Sequence, residues 1–236
     1  MPKLELLDFQ ILRFYHALDS RSPKLPEGFR LINPYTGDQK ELVNSTTAAF
    51  YKKYYHDATP RRIILGSSPA RRGTAVTGVP FEDAVHLQQE TGITIGQYHI
   101  NKPSANFLYD VIAELGGCDA FYKQYYMNFV CPLGIARVTA KGTEVNCNYY
   151  ETKKLQAALY DFILQSMREQ LAMGFDTSVC YCIGSGENYA FLSRVNQEHK
   201  FFRKIVPLEH PRYITQYNAS RKDYFMNKYL HALTQD

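Results

Sequence analysis

Strand-length apolar runs alternate with helix-length amphipathic ones along this chain, and that order limits its fold more than any other feature. Ser178 to Ile183 is apolar without alternation, as a strand buried on both faces of a parallel sheet must be. Arg62 to Leu65, Tyr126 to Val130 and Lys204 to Leu208 read as three further strands. Helical segments lie between them. The longest, Thr152 to Met173, sets Leu155, Leu159, Phe162, Ile163, Met167 and Leu171 on one face and closes at Gly174. Strands that return through helices pair in parallel. The expected fold is therefore α/β, a three-layer α/β/α sandwich around a central, mainly parallel four-stranded sheet.

The remaining segments fit around that sheet. Leu4 to Leu18 reads as an amphipathic helix, Ser20 to Asp38 as a long Pro/Gly/Ser-rich loop, and Asn44 to Tyr55 as a helix capped by Asn44, Ser45 or Thr46. Further helices are expected over Phe81 to Thr91, Ser104 to Leu115, Asp119 to Gln124, Gly186 to Glu198, and from Ser220 to Leu233. Arg137 to Asn146 reads as a hairpin turning at Lys141-Gly142. A length of 236 residues suits one large domain, with residues 1–60 packing as helices on the same core.

Several function classes are excluded. No apolar run approaches a membrane span, and MPKLELLDFQ carries acidic residues where a signal peptide needs apolar ones. The expected location is the cytoplasm. Five cysteines, with no C-x-x-C pair, read as free thiols, so no metal or iron–sulfur cluster is expected. The net charge of +4 is mild, but it is unevenly placed. Arg61, Arg62, Arg71 and Arg72 flank one strand, and seven basic residues fall between Lys200 and Lys228. Two such zones can contact phosphates.

Ligands of an open parallel sheet gather beyond the carboxyl ends of its strands. Here those ends deliver Gly66-Ser67-Ser68-Pro69, Cys131-Pro132-Leu133, Gly184-Ser185-Gly186 and Glu209-His210-Pro211. Gly184 to Tyr189 approaches a dinucleotide fingerprint, yet Tyr189 takes the third glycine position and no acidic residue ends a following strand. A P-loop lysine is also missing, so no cofactor is expected.

The first of these segments extends into Gly66-Ser67-Ser68-Pro69-Ala70, Gly73 and Thr77-Gly78-Val79-Pro80-Phe81. It resembles the first motif of the uracil-DNA glycosylase superfamily, G-M-N-P-G-x-x-G-x-x-x-T-G-V-P-F in the single-strand-selective monofunctional branch. His210-Pro211 resembles the second motif, H-P-S, and Cys131-Pro132-Leu133 the strand end N-x-C-P-L. The likeness runs from about Arg62 to Tyr217. Three positions depart from it. Ser68 stands where the family has the Asn that holds the attacking water, Phe129 where it has a pyrimidine-reading Asn, and Arg212 where it has Ser.

The resemblance implies a monofunctional DNA glycosylase that hydrolyses the N-glycosidic bond of uracil, or of related deaminated or oxidised bases, with no metal or cofactor. Its partner would be DNA and its state a monomer. Ser68 and His210 would be catalytic, with Glu82 or Asp83 as alternatives to Ser68 for handling the water. Gly66, Ser67, Pro69, Ala70, Gly73, Phe81 and Asn128 would surround the base; Asn128 reaches it only through a β-bulge. Arg71, Arg72, Pro211, Arg212, Tyr213, Lys200 and Arg221 would meet the DNA. Two alternatives remain: a damage- or single-strand-binding module of the same fold with little or no cleavage, kept open by Ser68, and a nucleotide-cofactor enzyme using Gly184-Ser185-Gly186.

Overall fold

The structure, a computed structural model, describes residues 5–82, 84–95 and 102–235. In chain order they form α1 (Leu7–Ala17), β1 (Phe29–Ile32), α2 (Lys40–Tyr55), β2 (Arg62–Gly66), α3 (Thr74–Thr77), α4 (Ala84–Thr91), α5 (Lys102–Glu114) and α6 (Gly117–Gln124). These are followed by β3 (Tyr125–Phe129), β4 (Gly134–Val138), β5 (Glu144–Cys147), α7 (Lys153–Leu171) and β6 (Asp176–Ile183). The chain ends with α8 (Glu187–His199), β7 (Lys204–Leu208), α9 (Pro211–Tyr217) and α10 (Lys222–Thr234).

The main sheet has the order β3-β2-β6-β7 and every pair in it is parallel. It is flanked by helices, as the alternation of elements requires. On one face Ile64, Met127, Ile183 and Leu208 meet Leu108, Val111, Phe121, Tyr229 and Leu233 of α5, α6 and α10. On the other, Tyr126 is stacked by Phe175 at 4.3 Å and met edge-on by Tyr55 at 5.9 Å. Leu7, Ile11 and Phe14 of α1 and Val43 and Phe50 of α2 join the same apolar cluster as the sheet. Burying such side chains stabilises each by about 1.5–3 kcal/mol.

Four local expectations change. The segment read as a loop contains β1, which pairs antiparallel with β4 to give a second sheet, β1-β4-β5. Helix α2 begins a turn before the expected cap, at Lys40, because Val43 is the first buried residue of its apolar face. Ser45 is then internal, and its hydroxyl donates to the Leu42 carbonyl. Phe81 does not start a helix: it lies in a turn at φ 63, and α4 starts at Ala84. Ser220 lies in a short 3-10 turn, and a separate α9 precedes it with Pro211 in its first turn, where no N–H is needed. Leu4 falls outside the described residues.

Arg61 also differs from its reading as a phosphate contact. It is 1% exposed. Its guanidinium pairs with Asp57 at 2.5 and 2.9 Å, donates to the carbonyls of Tyr122, Thr59 and Tyr54, and lies over the Tyr55 ring. It ties α2 to the start of β2 and to α6, and cannot reach DNA.

Candidate active site

Strand β2 ends at Gly66, and the chain turns sharply beyond it. A Cβ at Gly66 would lie 2.6 Å from the tip of Phe81 and 2.9 Å from the Phe129 ring. Glycine is therefore required by close approach of two aromatic rings. Those rings stack on each other at 4.8 Å with 22° between their planes. Phe129 backs one face of Phe81, and Phe81 itself is half-buried. Gly66→Ala should displace this ring pair and destabilise the protein by about 1–3 kcal/mol, read as a lower urea midpoint. An unchanged midpoint would contradict the packing described here.

Ser67 and Ser68 follow, both buried. Their hydroxyls are held by a segment that the sequence did not point to. Ser67 Oγ donates to Asn148 Oδ1 at 2.9 Å, and Ser68 Oγ accepts the Tyr149 N–H at 3.3 Å. The Arg71 N–H donates to Asn146 Oδ1 at 2.7 Å. Residues 146–149, at the end of the hairpin, thus clamp the loop. Tyr149 in turn donates its hydroxyl to Asn188 Oδ1 at 2.8 Å, and Asn188 donates to the Ile183 carbonyl at 2.9 Å. The Ser67 carbonyl accepts the Cys131 N–H at 2.9 Å. That leaves the N–H groups of Ser67, Ser68 and Ala70 without a protein acceptor among the described residues.

His210 sits at the carboxyl end of β7 as the cap of α9. Its Nδ1 accepts the Arg212 N–H at 3.0 Å. An acceptor nitrogen carries no proton, so the proton of the neutral ring is on Nε2, which is left to donate outward. The residue is exposed to solvent, yet much of its surroundings is protein. Burial, then the nearby Arg212 charge, pushes its pKa down to about 4. At neutral pH it is an uncharged hydrogen-bond donor.

Other assignments move. β3 keeps a regular register on β2, with Leu65 opposite Asn128 and Gly66 opposite Phe129. Asn128 therefore faces away from Phe129. It is fully buried, donates to the Tyr126 hydroxyl at 2.7 Å and accepts the Phe129 N–H at 2.9 Å. The bulge that base reading by Asn128 needed is not there. Glu82 is buried 3% exposed, and both carboxylate oxygens are met by tyrosine hydroxyls, those of Tyr109 and Tyr122. It anchors α5 and α6 rather than handling water. Asp83 lies outside the described residues. Helix α8 carries the chain back to the amino ends of the strands, so Lys200, its C-cap, lies at the opposite end of β7 from His210.

The other residues expected at the site follow the carboxyl ends of β2 and β7. Pro69 is buried beside Gly134, and Ala70 is exposed. Gly73 donates its N–H to the Ala70 carbonyl and closes the loop. Arg71 is half-buried and Arg72 exposed. Pro211 is buried, with Arg212 and Tyr213 exposed beside it. Gly184 does not cradle a phosphate: the Asn188 Cβ lies 3.2 Å from where its own Cβ would be, and Asn188 fills the turn. No group of three or more His, Cys, Asp or Glu among the described residues could hold a metal ion. No helix among them is long and apolar enough to cross a membrane.

Residues 53–234 match the profile of the uracil DNA glycosylase superfamily. A search of curated proteins returns no match. The chain is similar to the solved structure of wild-type SMUG2 from Pedobacter heparinus, with 40% identity over 96% of each chain and a TM-score of 0.90.

Proposed function

The chain belongs to the uracil DNA glycosylase superfamily, and from that premise we propose that it excises uracil from DNA by hydrolysis, leaving an abasic site. The carrying observation is the neutral His210, fixed through Nδ1 with its proton on Nε2, at the same carboxyl end of the sheet as the unpaired N–H groups of the Ser67–Ala70 loop, with β6 between their two strands. Related deaminated or oxidised bases are further candidate substrates.

The chemistry asks for little covalent work by the protein. The base is extruded from the stack and its ring lies on the face of Phe81 that Phe129 does not cover. The C1′–N1 bond lengthens and its electron pair goes to the base, while the sugar gains oxocarbenium character. Charge accumulates on O2, where loop N–H groups and Nε2–H of His210 stabilise it in a site that protein walls partly desolvate. A neutral donor suits this step, since it keeps its own proton as the base leaves. One water then adds to C1′ and loses a proton to solvent.

In this reading Ser68 orients that water. One lone pair of its hydroxyl is taken by the Tyr149 N–H, which leaves the other to accept from the water. Ser68→Ala should lower kcat about tenfold with KM little changed, because orientation is lost while binding is kept. An equal rise in KM with kcat intact would place Ser68 in binding instead.

The strand-end motifs hold no lysine, so no Schiff-base step follows and strand cleavage should need added alkali. A labelled single-stranded oligonucleotide with one uracil tests this. Scission only after alkali supports the monofunctional reading. Scission without alkali, with a borohydride-trapped adduct, overturns it. Tight DNA binding with no abasic product in either arm would favour the binding-module reading that Ser68 leaves open.

A further inference from the structure

The helices after His210 carry a surface that the excision chemistry does not use. Tyr213 is 49% exposed, Tyr217 72% and Tyr224 54%, and together they are three of the six large apolar side chains most open to solvent among the described residues. Tyr217 lies one helical turn beyond Tyr213 on α9, so the two share a face. Tyr213 meets Phe225 edge-on at 6.2 Å, and Arg221 lies 5.6 Å above Phe225 and 4.7 Å above Tyr224. The strip thus runs from the His210 cap across α9 to the start of α10.

Its charge is one-sided. Arg212 and Arg221 have no carboxylate partner among the described residues. Lys222 is paired with Asp110 and Lys228 with Glu209. Asp223 is the single acidic residue between Pro211 and Thr234. Exposed rings interleaved with guanidiniums that no carboxylate neutralises, Arg212 held by Gln216 Oε1 at 2.8 Å and Arg221 by the rings below it, fit a polyanion that also offers flat faces, and unpaired bases on a phosphate chain are such a ligand. Paired bases show their faces only to each other.

We propose that Tyr217, Tyr224 and Arg221 form a stacking platform for unpaired DNA bases flanking the excised nucleotide. This rests on the glycosylase reading for the meaning of the neighbouring site, although binding can be measured without it. Tyr217 and Tyr224 each take a base face, and Arg221 both supports the Tyr224 ring and neutralises a phosphate. The platform holds the strand in register while His210 and Ser68 act on the nucleotide next to it.

The test uses the full protein and a fluorescein-labelled thymidine oligonucleotide without uracil, as a single strand and as a duplex with its complement. Fluorescence anisotropy should show Tyr217→Ala and Tyr224→Ala each weakening single-strand binding about tenfold while changing duplex binding little. Tyr217→Phe and Tyr224→Phe should retain affinity. Arg221→Ala should reduce the salt slope of single-strand binding by about one. Because these side chains are exposed, circular dichroism should show every variant folded. Alanine variants that bind the single strand as the wild type does would overturn the platform, as would an equal loss on duplex. A wild type that binds through these residues yet never excises uracil would refute the glycosylase reading alone.

Discussion

His210→Ala should lower kcat/KM for uracil excision by about a hundredfold or more, with the fold intact. The magnitude is that of removing one donor from a preorganised site for developing negative charge. It should exceed that of Ser68→Ala, because Ser68 orients a neutral water whereas His210 meets a full charge. The pH dependence carries the sign. The imidazole is held down to about 4, so the rate should not change as pH falls through the usual histidine range near 6.5. Below about pH 4 the ring gains a proton on Nδ1, can no longer accept from the Arg212 N–H, and loses its orientation. Stability follows the same sign: the unfolded chain takes up this proton first, so His210's share is lost as pH falls from about 6.5 towards 4. A rate that falls with an apparent pKa near 6.5 would show that the ring is not held as described.

Arg61→Met should be the most damaging substitution for stability, at about 3–5 kcal/mol. Total stability in proteins of this kind is only about 5–15 kcal/mol. Methionine fills much of the volume but leaves the Tyr122, Thr59 and Tyr54 carbonyls without their donor. Urea denaturation of the purified variant measures it directly. A cost below about 0.5 kcal/mol, in the range of ordinary surface changes, would contradict the structural role. Asp57 gives an independent check. The hydrogen bond from Arg61 holds its carboxyl down at about 2, against 3.8 in the free group. A depressed carboxylate stabilises the fold above about pH 4, and that share is lost as pH falls towards 2. Asp57 is partly exposed, so solvent screening keeps the acid effect small.

The parallel sheet was legible because its strands announce themselves. Ser178 to Ile183 has no polar alternation, and the helices between strands force parallel pairing. β1 was hidden. Phe29 to Ile32 is four residues long, sits among prolines and glycines, and gains its identity only by pairing with β4, about a hundred residues later. Phe81 misled for a related reason. Glu82 and Asp83 look like the acidic first turn of a helix, but Glu82 is drawn inward by Tyr109 and Tyr122, and the backbone turns at Phe81 to allow it.

The site was legible where it lies in contiguous residues and obscure where it is assembled at a distance. The strand-end rule brought Gly66, Ser67, Ser68 and His210 to one edge of the sheet. The period of two along a strand also stated in advance what Asn128 would need in order to face the base, and the regular register shows that it does not. Asn146, Asn148 and Tyr149 gave no signal, because their side chains and N–H groups matter only through contacts with residues 75 to 81 positions away. Arg61 was indistinguishable from its neighbours Arg62, Arg71 and Arg72 in sequence. Its burial is a property of the α2–β2 junction rather than of the residue type.

The most direct test of the account is product analysis in isotopically heavy water. The purified protein is incubated in H2(18)O with single-stranded DNA carrying one uracil, and free base and abasic strand are weighed by mass spectrometry. The account predicts free uracil without label, one heavy oxygen on the abasic sugar, and near-complete loss of both products with His210→Ala. DNA that is bound but yields no free uracil, or a His210→Ala variant that excises as the wild type does, would contradict it.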